Sequence, residues 1–199
     1  DCSVQRHHQK LLEESPSPAV DTATREALFA AVADAVRAIG YTGAGTLEFL
    51  RDPDGSLWFM EMNVRLQVEH AVSEMLTLVD LVKWQIRTAA GVSLPFSQTD
   101  IPMKGAVIEC RVNALSPGTV SLLHVPGGPF VRFDTYLVQG VAVSPFYDSL
   151  VGKLIVYAAT REEALRKMRA ALCELVIDGV ETNIAEQLRI ISDSRFSSG

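Results

Sequence analysis

The chain has 199 residues, 48% hydrophobic and 21% charged, enough apolar material for one or two globular domains with a sizeable core. Its formal net charge of −6 argues against a nucleic-acid surface, which needs clustered Lys and Arg. No apolar run reaches the ~18 residues of a membrane-spanning helix, and no signal peptide is visible. The three cysteines, Cys2, Cys110 and Cys173, are far apart and odd in number. That is neither a zinc pattern nor a disulfide framework, and it suits a reducing compartment. Cys110 and Cys173 read as ordinary core residues.

The chain opens DCSVQRHHQK without a Met, so an upstream segment is expected. This opening packs Arg6, His7, His8 and Lys10 together, either as an exposed polar segment or as a strip of donors facing an anion or nucleotide. Adjacent His residues point to opposite sides of a strand, and there is no HExxH spacing. ESPSPAVD is a loop, and Asp21 reads as the N-cap of a helix reaching about Ile39. Leu28, Val32, Ala35, Val36 and Ile39 form its apolar stripe, and Gly40 stops it. Thr42-Gly43-Ala44-Gly45 lacks the spacing of either glycine-rich phosphate loop and reads as a tight turn.

Strands are expected near 46–51 and 56–64, joined by Asp52-Pro53-Asp54-Gly55. WFMEMNVRLQVEH, residues 58–70, alternates so strictly that Glu61, Asn63, Arg65, Gln67 and Glu69 share one face if extended. Two readings stand: a half-buried strand with one wetted face, or oxygen ligands beside a fixed cation, suited to a metal-bound anion. With those four turn residues as the whole turn, Glu48 faces Phe59 and Glu61 is its diagonal neighbour, ~7–8 Å away at Cα. Glu48, Glu61 and Asn63 would then hold a hard cation, Mg²⁺ by preference. A turn longer by one residue would put Glu48 on the other face. A straight strand would carry Glu69 about 26 Å from Glu61, so the two act separately unless the chain bends after Asn63. Arg65 can grip a planar oxyanion beside which a carboxylate serves as general base.

A helix over roughly 74–90 follows, with Val79, Val82, Ile86 and Ala89 on one side and Gly91 at its end. Beyond a boundary near 91–102 the texture changes. AVIECRVNA, VSLLHV, PFVRFD, LVQGVAVS and GKLIVYAA are short strands of an antiparallel sheet or barrel. Arg111, in ECRVN, is a site candidate or a structural ion pair. Thr160-Arg161-Glu162-Glu163 is a capping box opening a helix with Leu165, Met168, Leu172 and Leu175 at helical spacing, and a last helix spans roughly 183–191. The fold class is α+β.

QRHHQK, GAGTLEFL, FMEMNVRLQVEH, ECRVNA, YDSLVGKLIVY and DGVETNI, in this order, resemble biotin carboxylases, the ATP-grasp component of biotin-dependent acyl-CoA carboxylases. The similarity covers nearly the whole chain; EMN recurs across ATP-grasp ligases, whereas EMNxRLQVEH with QRxHQK is specific. The resemblance implies the second half of an ATP-grasp domain over 1–95 and a mainly antiparallel β biotin-carboxylase C-terminal domain with helices over 96–199. It implies that Glu48, Glu61 and Asn63 ligate Mg²⁺ or Mn²⁺ on ATP, that Gln5, His8 and Leu50 border the adenosine, and that Lys10, Arg65, Gln67 and the Val68 backbone bind bicarbonate. Glu69 would be the base and Arg111 would stabilise the biotin enolate. Carboxyphosphate would break down to CO₂ and phosphate, and biotin N1 would capture the CO₂.

The implied partners are a biotin carboxyl carrier domain and a carboxyltransferase component, with a homo-oligomer as the full-length state and neither nucleic acid nor membrane. The implied location is the cytoplasm of a bacterium or the mitochondrial matrix. His7, Val64 and Ala71 depart from the usual Arg, Thr and Pro, and Asn113-Ala114-Leu115-Ser116-Pro117-Gly118 lacks the family's acidic pair and several residues. The glycine-rich flap and nucleotide-binding lysines of the family's N-terminal region are absent, so the isolated chain is expected to be inactive. The competing expectations are another ATP-grasp ligase forming a carbamoyl or acyl phosphate, and a non-catalytic assembly remnant.

Overall fold

The computed structural model describes residues 4–199, so Cys2 lies outside the described residues. The chain begins with β1 (Val4–Arg6), β2 (Gln9–Ser15) and α1 (Thr22–Ala38). Next come β3 (Thr46–Arg51), β4 (Leu57–Asn63), α2 (His70–Thr77) and α3 (Leu81–Ala89). A 3₁₀ turn at Gln98–Asp100 leads to β5 (Ala106–Asn113), β6 (Gly118–Thr119), β7 (Leu122–His124), β8 (Val131–Thr135) and β9 (Ala142–Val143). The chain closes with β10 (Leu150–Ala158), α4 (Arg161–Glu174), β11 (Val176–Asp178), α5 (Ile184–Ser192) and α6 (Ser194–Ser197).

Two compact units result. One is Pro18–Pro102; the other joins the segment ending at Ser17 to Met103–Gly199. The segment before Pro18, which the sequence reading groups with residues up to 95, packs with the later unit. The cause is strand pairing: β2 lies antiparallel to β5, Leu12 opposite Cys110 and Ser15 opposite Val107.

In that unit the antiparallel sheet runs β1-β2-β5-β10-β8. Period-2 alternation sorts its faces. Leu12, Ile108, Cys110, Val112, Leu154 and Val156 point to one side and form a core with Ala164, Leu165, Met168, Ala171 and Leu172 of α4. The expected capping box opens α4: Thr160 Oγ1 accepts from the Glu163 N–H, and Glu163 Oε2 accepts from the Thr160 N–H, both at 3.2 Å. Cys173 breaks with expectation. It is exposed, because it follows Leu172 by one residue, about 100° round the helix, whereas Cys110 is buried. Burial, followed by the nearby Glu13 and Glu109, pushes the Cys110 thiol well above its ordinary range.

In the Pro18–Pro102 unit, Asp21 caps α1 by accepting the Thr24 N–H at 2.7 Å. The apolar stripe of α1 forms but stays open: no residue of this helix is buried, and Ile39 is 66% exposed. The single helix expected over 74–90 is two helices. Leu78 adopts a left-handed φ of 59°, which ends α2. Glu74 Oε1 then accepts from the Leu81 N–H at 2.9 Å, and Asp80 caps α3 by accepting from the Lys83 N–H at 2.8 Å. Side chains that satisfy these backbone donors outweigh a continuous apolar spacing.

Met168 is fully buried between α4 and the sheet. Met168→Ala should lower the unfolding free energy by about 2–5 kcal/mol, read from a urea midpoint shift at unchanged m. A loss below about 1 kcal/mol would contradict this packing.

Candidate active site

The β3–β4 hairpin is built differently from the expected four-residue turn. Arg51 pairs with Leu57, so the turn is Asp52 to Ser56, closed by the Asp52 N–H to Ser56 O and the Gly55 N–H to Asp52 O, both at 2.9 Å. This longer turn alone would have set Glu48 opposite Met60, on the wrong face for Glu61. A bulge reverses the outcome. Phe49 pairs with Phe59 but Glu48 pairs with Glu61, which leaves Met60 as the extra residue. Glu48 and Glu61 are therefore direct cross-strand partners rather than diagonal ones, and Thr46 faces Asn63.

Directly opposed carboxylates repel. Here the Asn63 amide bridges them and the Gln67 amide supports Glu48. Asn63 Nδ2 donates to Glu61 Oε1 at 2.8 Å and to Glu48 Oε1 at 3.1 Å, and Gln67 Nε2 donates to Glu48 Oε1 at 2.6 Å. Strand β4 ends at Asn63, and the chain bends so that Gln67 returns to Glu48. The long separation of a straight strand therefore does not apply. Arg65 Nη2 donates to Asn63 Oδ1 at 3.3 Å, completing a chain Arg65–Asn63–Glu48–Gln67. Val68 follows in the connecting turn, and Glu69 is the N-cap residue of α2 without spending its carboxylate on capping. Leu50, on the Glu48 side of β3, is 58% exposed.

Glu48 and Glu61 with an amide neighbour are hard oxygen donors, matched to Mg²⁺ or Mn²⁺. Among the described residues no three His, Cys, Asp or Glu side chains cluster as a metal site. Asn63 turns its nitrogen to both carboxylates, so ligation through Oδ1 requires its amide to rotate.

The other unit carries the remaining candidates. Gln5 pairs with Lys10 across β1 and β2. His7 and His8, with φ of 49° and 62°, make the two-residue turn between them, so the polar opening is a hairpin with an exposed tip. Arg111 Nε donates to Glu13 Oε1 at 3.0 Å, which realises the ion-pair reading of this residue. The shortened loop after Asn113 is firmly held: the Asn113 N–H donates to Asn183 Oδ1 at 2.8 Å and the Leu115 N–H to Glu181 O at 2.7 Å. Sequence reasoning did not single out Glu13. The available signal was an acidic residue inside the apolar strand KLLEES.

The chain is similar to known proteins over its whole length. A profile described as the carbamoyl-phosphate synthase L chain, ATP binding domain, matches residues 1–97, and one for the biotin carboxylase C-terminal domain matches 109–199. The chain is 48% identical to the biotin carboxylase of Pseudomonas aeruginosa and 47% identical to biotin carboxylase 1 of Bacillus subtilis, covering 100% of itself and 46% of each relative. It thus spans about half the length of these curated relatives. Among solved structures, the biotin carboxylase domain dimer of Hydrogenobacter thermophilus 2-oxoglutarate carboxylase, in complex with MgADP, ADP and bicarbonate, superposes with TM-score 0.97 at 46% identity. That match covers 100% of this chain and 46% of the other. Rhizobium etli pyruvate carboxylase matches with TM-score 0.96 at 34% identity, over 100% of this chain and 21% of that one.

Mn²⁺ titration followed by water-proton relaxation should detect binding that Glu61→Gln abolishes and that Gln67→Ala weakens about tenfold, because Gln67 orients the Glu48 carboxylate. Unchanged affinity in Glu61→Gln would remove the cation from this hairpin.

Proposed function

The chain belongs to the biotin carboxylase family, and from that premise we propose that it contributes to ATP-dependent carboxylation of biotin within a protein about twice its length. The observation that carries the reading is the β3–β4 hairpin, where Glu48, Glu61, Asn63 and Gln67 converge while Arg65 and Glu69 follow on the same segment. The binding of MgADP and bicarbonate by the Hydrogenobacter thermophilus relative supports it.

In this proposal Glu48 and Glu61, assisted by Asn63, hold the Mg²⁺ or Mn²⁺ that neutralises ATP phosphate charge. Family resemblance assigns Leu50, and separately Gln5 and His8, to the adenosine. Arg65, Gln67 and the Val68 N–H grip bicarbonate, and Lys10 is assigned to the same anion by family resemblance. The fixed guanidinium lowers the cost of the second negative charge when Glu69 takes the bicarbonate proton. The deprotonated oxygen attacks the γ-phosphorus, the bond to ADP breaks, and carboxyphosphate forms. Its C–O bond then cleaves to CO₂ and phosphate; the phosphate takes the N1 proton of biotin, and N1 bonds to CO₂. Arg111 stabilises the enolate oxygen that develops on the biotin ureido group. The substrate would arrive on a biotin carboxyl carrier domain and leave to a carboxyltransferase component, with the full-length protein a homo-oligomer in the cytoplasm or mitochondrial matrix.

The full-length protein should release ADP from Mg²⁺-ATP only with bicarbonate, faster with free biotin. Glu69→Gln should cut that turnover by about 10²-fold or more, the contribution of a general base. Bicarbonate-dependent turnover indifferent to biotin would instead indicate another ATP-grasp ligase.

A further inference from the structure

The face of the β2-β5-β10-β8 sheet opposite α4 carries charges in register. Glu13 pairs with Glu109, Arg111 with Lys153, and Lys153 with Asp134. Glu13 is 1% exposed, Glu109 0% and Lys153 9%. Two carboxylates directly opposite each other in a buried strand pair are unfavourable both as like charges and as desolvated ions. Apolar residues would pack this face at lower cost, so fold stability alone does not account for the arrangement.

The geometry supplies another account. Arg111 Nε donates to Glu13 Oε1 at 3.0 Å, and the Arg111 side chain is only 14% exposed. Lys153 Nζ lies 3.5 Å from Asp134 Oδ2, and Arg132 Nε is 2.7 Å from Asp134 Oδ1. Lys153 and Arg132 both contact Asp134, and Glu13 contacts Arg111. An ion pair with a buried carboxylate removes much of the freedom of the Arg111 side chain. The backbone beneath is also fixed: Asn183 Nδ2 donates to Arg111 O at 3.0 Å, and Gln187 Nε2 donates to Arg111 O and Leu11 O, each at 2.9 Å.

We propose that Glu13 is a positioning residue, which orients the Arg111 guanidinium toward the developing ureido oxygen of biotin. This inference rests on the carboxylase reading above. Glu13→Gln keeps the size of the side chain but removes its charge, so Arg111 loses its anchor.

The test is steady-state kinetics of the full-length protein with free biotin, alongside thermal melting. Glu13→Gln should reduce kcat/KM for biotin about tenfold or more, leave KM for ATP within about twofold, and show no further loss when combined with Arg111→Lys. Glu13→Asp should recover part of the biotin effect. Equal losses for biotin and ATP with a lowered Tm, or additive losses in the double variant, would overturn the positioning role. Wild-type kinetics in Glu13→Gln would overturn it as well. Wild-type turnover that biotin does not stimulate would overturn the carboxylase reading and this inference with it, an outcome distinguishable because it appears before any substitution is made.

Discussion

The antiparallel pairing of β5 with β10 is the constraint from which most of the larger unit follows. Arg111 lies opposite Lys153, Cys110 opposite Leu154 and Ile108 opposite Val156. Because successive side chains alternate faces, this one register commits Ala106, Ile108, Cys110 and Val112 of β5, with Leu154 and Val156 of β10, to the core that α4 covers. It commits Glu109, Arg111 and Lys153 to the opposite side. A slip by one residue would turn Glu109, Arg111 and Lys153 toward Met168 and Leu172 and expose the apolar set. The hydrophobic side therefore enforces the register, and the register places the charges. Arg111 owes its partner, Glu13, to packing on a face it does not touch.

The smaller unit shows the same coupling at a finer scale. The five-residue turn at Asp52 to Ser56 and the extra residue Met60 each shift the β3–β4 alignment by one position. Each alone would separate Glu48 and Glu61 onto opposite faces; together they restore parity and bring the carboxylates directly across from each other. The resulting repulsion is offset locally by amide donors from Asn63 and Gln67. The amide hydrogen bonds hold the two carboxylates in fixed orientations.

Both units use side chains to end or redirect elements at points where apolar spacing alone would continue. Leu78 in a left-handed conformation, with Glu74 and Asp80 satisfying the first donors of α3, divides a run that reads as one helix. Asn183 and Gln187 bind α5 to the Arg111 backbone, so a helix distant in sequence steadies strand β5 at Arg111.

Local chemistry made much of this legible without coordinates. Asp21 and Thr160 announced helix starts because capping is decided within four residues, and alternation in FMEMN and AVIECRVN marked strands because pleating has a period of two. The candidate site residues were likewise visible as a spaced set. Their relations were not. Whether Glu48 meets Glu61 directly depends on turn length and a bulge, whether Cys173 is buried depends on which arc of α4 meets the sheet, and whether Glu13 reaches Arg111 depends on pairing across 98 residues of chain. The sequence determined the elements and the chemical inventory, which are properties of short segments; tertiary structure alone decided the partners, because register and packing are settled by contacts that no local pattern contains.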